Sequence, residues 1–265
     1  MVVERRERMQ ICPCIDTLYK GAELRNALRE ISECGFWGFE FWSAENWDMG
    51  EMAELKEALG LQLVNFNCEL VSLTDERQRG RFLKSLESAV ALGKRLGGNR
   101  ITVLSGDDTG EPRSVQHASI AAGLKEAAPM LEEEGFMVVL EASNRRVNRP
   151  DNYLTSADET FEILDEVGSP SVKMLYDIYH QQISEGDLLA RILPNLEKIG
   201  HFHAAGVPGR QELHKSEIHY GYVLQKIRDA GYSRWVGLEY FPSIPVRDGL
   251  GMVRRLLEQG GLKGN

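Results

Sequence analysis

The sequence predicts an α/β protein of the closed (β/α)8 barrel class, a single domain over residues 1–265. Three observations carry that expectation. Eight short apolar runs rich in β-branched and aromatic residues recur along the chain, amphipathic stretches lie between them, and no linker or low-complexity tract divides it. Strands that read as nearly continuous apolar runs, each followed by a helix, form a parallel sheet covered by helices. Eight such units close on themselves. The competing open, doubly wound sheet would carry a G-x-G-x-x-G turn after a strand, and the chain has none.

The first run, MQICPCI (9–15), holds Cys12 and Cys14. No paired C-x-x-C completes a thiolate cage, so these two, with Cys34 and Cys68, read as reduced thiols in small core positions. AELRNALREISECG follows as a helix, with apolar residues near i, i+3, i+4 and i+7 and glycine at its exit. The second run, FWGFEFW (36–42), sets Glu40 between two phenylalanines, as a buried hydrogen-bond acceptor or a substrate contact. LQLVNFN (61–67) is the third, followed by the helical RFLKSLESAVALGKRLGG. After the fourth, NRITVLS (99–105), the loop GDDTGEP has too few glycines and too many acids to cradle phosphate. The acidic stretch LEEEG (131–135) is a solvated helix end before the fifth run, FMVVLEA (136–142). VKMLYDI (172–178), IGHFHAA (199–205) and WVGLEYF (235–241) complete the eight. Lys173 begins the sixth, at the barrel end away from any chemistry, which argues against a Schiff base.

With 42% hydrophobic and 27% charged residues the composition is that of a globular protein, and the formal net charge of -9 opposes a nucleic-acid partner. A small polar substrate fits better. No window reaches the ~18 apolar residues of a membrane span, and MVVERRERMQ lacks the apolar core of a signal peptide. A cytoplasmic location is expected.

Barrel sites gather at the C-terminal ends of the strands. There the fifth run offers Glu141, the sixth Asp177 and His180, the seventh His203 and the eighth Glu239. Buried carboxylates that converge repel one another unless protonated or neutralised, and one bound cation satisfies them together. Oxygen ligands joined by an imidazole suit a hard or borderline divalent ion, Mn²⁺, Mg²⁺ or Co²⁺. His117, His214 and His219 fall in helical or loop segments and read as solvated, with His219 alone near the site.

VVLEASN, YDIYHQQISEGD, IGHFHAAGVPGR, SEIHYGYVL and WVGLEYFP, in that order, resemble the xylose isomerase-like TIM barrels, in the branch of hydroxypyruvate isomerases and ketose 3-epimerases, over residues 9–256. The resemblance implies one divalent metal held by Glu141, Asp177, His203 and Glu239, with Glu141 and Glu239 also transferring protons. It implies substrate contacts from His180 and Arg210, and from Glu217 in the EIHY segment, within the loop expected to shape specificity. His203 matches the epimerases, since hydroxypyruvate isomerases more typically carry Gln there. Gly206 also stands where those isomerases usually carry Asp. The expected activity is metal-dependent isomerisation of a sugar or hydroxy-keto acid, most like hydroxypyruvate isomerase. The alternatives are a ketose 3-epimerase with the same site, a sugar-binding barrel without turnover, and an apurinic endonuclease relative. The last would need more histidine ligands and a basic groove. A homo-oligomer is compatible, since relatives commonly pair through the barrel face.

Moving a proton beside a carbonyl needs a base, an electrophile to stabilise the enediolate, and an acid. Glu141 and Glu239 would supply base and acid, and metal chelation the electrophile. A proton returned to the same carbon from the other face epimerises it; one returned to the neighbouring carbon interconverts aldose and ketose. A ligating glutamate is ordinarily a weak base. An apolar wall from among Phe41, Trp42, Trp47 and Phe66 is therefore expected to exclude water and raise its basicity.

His201 and His203, two apart on a strand, point to one side but differ in depth by about 6.6 Å. Both cannot reach one ion through ~2.1 Å bonds. His203 is expected at the centre, and His201 beneath it, bonded to a buried carboxylate such as Glu40.

Overall fold

The computed structural model describes residues 9–259, so the charged opening segment lies outside the described residues. Eight strands form inside the eight runs: β1 (Gln10–Pro13), β2 (Gly38–Phe41), β3 (Gln62–Asn67), β4 (Arg100–Leu104), β5 (Met137–Glu141), β6 (Val172–Asp177), β7 (Ile199–Ala204) and β8 (Trp235–Leu238). They pair in parallel, in the order β1-β8-β7-β6-β5-β4-β3-β2. Among the described residues β1 and β2 share no ladder, only the parallel bridge between Cys14 and Glu40. The barrel is thus a sheet closed on itself and stitched at one seam.

The principal helices are α1 (Leu24–Glu33), α2 (Met49–Leu59), α3 (Arg79–Leu96), α4 (Arg113–Glu134), α5 (Ala157–Val167), α6 (Ile178–Ser184), α7 (Tyr220–Asp229) and α8 (Val246–Gln259). Periodicity sets the face each one buries. In α1 it is Leu24, Ala27, Leu28 and Ile31, the i, i+3, i+4, i+7 stripe. The three large side chains of that stripe contribute about 4.5–9 kcal/mol of burial, opposed by the entropy of ordering the helix. α3 buries Phe82, Leu86, Ala89 and Val90 and stops at Gly97, whose φ of +69° is the left-handed cap that glycine adopts without strain. Among the described residues no helix is long and apolar enough to cross a membrane.

The two barrel ends differ. At the N-terminal end Trp37 packs on Trp235 with ring centroids 4.4 Å apart, and the Trp37 indole donates to Gln10 Oε1 at 3.0 Å. Lys173 also lies at this end, donating to the Glu197 carbonyl. At the other end the rim is staggered. Asp177 pairs with His203 and His203 with Gly237, but Glu141 pairs with Leu175, two residues before Asp177. Strand tilt in a closed barrel makes this stagger the route by which side chains from successive strands meet.

Candidate active site

Glu141 ends β5, Asp177 ends β6, His203 is the penultimate residue of β7, and Glu239 follows β8. One ligand atom from each lies within 4.8 Å of the others, and all four residues are buried. Each is held by its surroundings. Asp177 divides its oxygens: Oδ1 caps α6, accepting from the N–H groups of Tyr179 (2.8 Å) and His180 (3.2 Å), while Oδ2 makes no hydrogen bond. Capping with one oxygen leaves the other free for the centre. His203 Nδ1 lies 3.1 Å from Glu239 Oε2 and Nε2 lies 3.2 Å from Glu40 Oε1, both ion-pair distances but off hydrogen-bond alignment. Glu239 Oε1 accepts from the Trp42 indole, and Oε2 meets the Arg210 guanidinium.

His180 has its tautomer set from behind. Its Nδ1 accepts from the Asn144 backbone N–H at 3.2 Å and side-chain amide at 2.5 Å, which leaves the proton on Nε2. That Nε2 faces Glu141 Oε1 at 3.6 Å and Asp177 Oδ2 at 3.5 Å. Burial lowers the imidazole to about 4, so it is a neutral donor at the rim. Arg210 ends the loop after β7 in a left-handed conformation, φ +54°, rare without glycine. Its carbonyl accepts from the Phe241 N–H at 2.8 Å. Glu212, two residues on, ties the same loop to the segment after β8 by accepting from the Ser243 and Ile244 N–H groups and the Ser243 hydroxyl. So fixed, the guanidinium lies 5.3 Å from the Tyr179 ring centre and 3.7 Å from Asp177 Oδ2.

The two glutamates are driven apart. Burial, then the charge of Glu239, pushes Glu141 up to about 8. Burial acts on Glu239 in the same direction, but Arg210 and His203 outweigh it and hold its carboxyl well below the usual range. Burial disfavours a charged His203, yet Glu239 and Glu40 outweigh it and raise the imidazole well above its ordinary value. A cluster with this charge balance, containing a bare buried carboxylate oxygen and an imidazole lacking aligned partners, has a donor set that fits a divalent cation.

Beneath the centre lies the expected support: His201 Nε2 bonds Glu40 Oε2 at 2.9 Å. Glu40 is thereby a buried acceptor rather than a substrate contact, and it serves both histidines. Cys12 joins this layer, its thiol 3.8 Å from Glu40 Oε2.

The rim opens into a cleft of about 880 Å³ lined by Glu141, His180, Arg210 and Glu239, with Trp42, Phe66 and Phe241 among its apolar walls. Of the four aromatics considered for the wall, Phe41 is instead buried against Phe66, and Trp47 bonds Asp16. Glu217 stands apart, exposed, accepting from Gln182 outside the cleft lining. Arg210 lies on the carboxylates themselves. His117 pairs with Glu159 and Glu166, and His219 caps α7.

Three roles were not read from the sequence. The Trp42 bond to Glu239 and the Asn144 bonds to His180 depend on rotamers, although Asn144 lies within the quoted VVLEASN. Asp16 accepts from the Trp42 N–H and the Asn46 amide, anchoring the turn after β2. The strand-end rule would have found it, just past β1.

The fold and rim define a (β/α)8 barrel with a buried carboxylate and imidazole centre that could hold a divalent ion. The chain belongs to the xylose isomerase-like TIM barrel family, whose model matches residues 28–256. It is 31% identical to hydroxypyruvate isomerase of Escherichia coli K12 over 233 residues, covering 83% of this chain and 89% of that one. It is 33% identical to 2-oxo-tetronate isomerase of Cupriavidus necator over 180 residues, 68% of this chain and 67% of the relative. A solved structure from Brucella melitensis, described as an AP endonuclease of family 2, superposes with a TM-score of 0.87 at 25% identity, covering 92% of this chain and 97% of that one.

Proposed function

We propose that the protein is a divalent-metal-dependent isomerase of small hydroxy-keto acids, shifting a proton beside a carbonyl with Glu141 and Glu239 as the acid and base. The observation that carries this reading is the pair of buried glutamates facing one cleft with His180 and Arg210, their ligand atoms gathered with those of Asp177 and His203. Relatives named hydroxypyruvate isomerase and 2-oxo-tetronate isomerase support the reaction class.

Glu141, Asp177, His203 and Glu239 would hold the ion, which when bound supplies an electrophile to the substrate carbonyl and neighbouring hydroxyl. The residues do the rest. One glutamate removes the proton from the hydroxyl-bearing carbon and the other returns a proton. His180 donates from Nε2 to a substrate oxygen, its tautomer fixed by Asn144. Arg210 balances carboxylate charge and offers donors to substrate. Trp42, Phe66 and Phe241 narrow the water-accessible space around the reacting carbons, which strengthens each charge interaction there.

The cleft favours a second reading. At about 880 Å³ it is far roomier than a three-carbon acid needs, so a free ketose, epimerised by the same two glutamates, also fits. Incubation of the Mn²⁺-loaded protein in D₂O with hydroxypyruvate, four-carbon hydroxy-keto acids and free ketoses separates the two. Carbon-bound deuterium is expected with the acids; exchange with ketoses alone selects the epimerase; no exchange with any α-hydroxy-carbonyl compound refutes both.

A further inference from the structure

We propose that Glu40 is a positioning residue for His203: with one oxygen bonded by His201 and the other set 3.2 Å from His203 Nε2, its negative charge keeps the proton on that nitrogen and reserves His203 Nδ1 for the metal. The inference rests on the metal-centre reading above.

The argument begins in β2. The β2–β3 register shifts between Phe39 and Glu40, and Glu40 makes the bridge to Cys14 that joins β2 to β1. Its carboxylate thus projects across the interior to β7, where His201 and His203, side by side on one face, present their rings 5.1 Å apart. Oε2 is 2.9 Å from His201 Nε2 and Oε1 is 3.2 Å from His203 Nε2. β8 leaves room for this crossing. Gly237, opposite His203, has no side chain, and a Cβ there would lie 2.1 Å from Glu40 Oε1 and 2.7 Å from His203 Cδ2.

Only a carboxylate can serve both rings. A carboxylate accepts through each oxygen, whereas an amide accepts through one and presents N–H donors from the other. A glutamine at 40 would turn its NH₂ group toward one imidazole N–H and force that ring to change tautomer or rotate. For His203, Nδ1 faces Glu239 and the ligand cluster, and Nε2 faces Glu40. A proton held on Nε2 leaves Nδ1 as the nitrogen that can give a lone pair to a cation. Carboxylates behind metal-bound imidazoles fix ring orientation and ligand basicity in this way, and their loss typically weakens metal binding about 10- to 100-fold.

The test needs no substrate, so its failure is distinct from failure of the isomerase reading. Histidine ¹⁵N NMR of the unmutated protein, metal-free and Zn²⁺-loaded, should show a proton on His203 Nε2 in both states. Glu40→Gln should weaken Mn²⁺ binding about 10- to 100-fold in folded protein. A bare Nε2 in the unmutated protein overturns the proposal, even if the variant does not fold. So does a folded Glu40→Gln that binds Mn²⁺ within twofold of the parent, since a merely structural Glu40 would lower stability and leave the affinity of folded protein unchanged.

Discussion

Trp42→Phe isolates one hydrogen bond at the centre. The indole Nε1–H is the donor to Glu239 Oε1, while Oε2 keeps Arg210 and lies near His203. Phenylalanine retains an aromatic wall over the cleft and the chance of an edge contact with Phe241, which Trp42 now meets with centroids 6.5 Å apart. What is removed is a donor to an ionised acceptor, a bond contributing about 1.5–3 kcal/mol. At 1.36 kcal/mol per tenfold this spans roughly 10- to 150-fold in rate. Trp42 is only half-buried and borders an open cleft, so water can replace part of the lost bond. The expected fall in the deuterium-exchange rate is therefore near the lower bound, about tenfold. The assay is NMR-detected exchange in D₂O under saturating Mn²⁺, with Mn²⁺ affinity measured in parallel. An unchanged exchange rate would refute the assignment of Trp42 as a support of Glu239.

Asp177→Asn should separate capping from metal binding. Asparagine caps a helix as well as aspartate does, so the thermal midpoint should move little, while Co²⁺ affinity, followed by visible absorption, falls more than tenfold. Gly237→Ala brings a Cβ to 2.1 Å from Glu40 and 2.7 Å from His203; overpacking costs about 1–3 kcal/mol and should appear as a midpoint several degrees lower. An unchanged midpoint would show that β8 has slack. Burial works to raise the Glu212 carboxyl, but its bonds from Ser243 and Ile244 outweigh this and lower it below 4.5. A lowered acid stabilises the fold above its unfolded value and loses that contribution as pH falls through the folded one. Urea unfolding of Glu212→Gln should therefore show a deficit at pH 7 that shrinks below about pH 4.5; a deficit independent of pH refutes the charge assignment.

The strand ends were legible because each apolar run stops at a polar residue too costly to bury without purpose. His201 over Glu40 was legible too, since strand parity fixes which way alternate residues face. The stagger was not: it arises from pairing register, and the irregularities at Phe39/Glu40 and Met174/Leu175 leave no trace in either strand's own pattern. Nor was the second contact of Glu40, to His203, which requires the gap at Gly237 on a third strand. Glu217 shows the limit of reading a loop from its letters. Its backbone N–H bonds the Val207 carbonyl, and its side chain emerges at the surface beside Gln182.

The Cys14–Glu40 bridge between β1 and β2 gives the barrel a clasp, and the residue that fastens it is also the one that reaches His203. Barrel closure and the surroundings of His203 therefore share one side chain, so a change at Glu40 strikes the seam and the centre together.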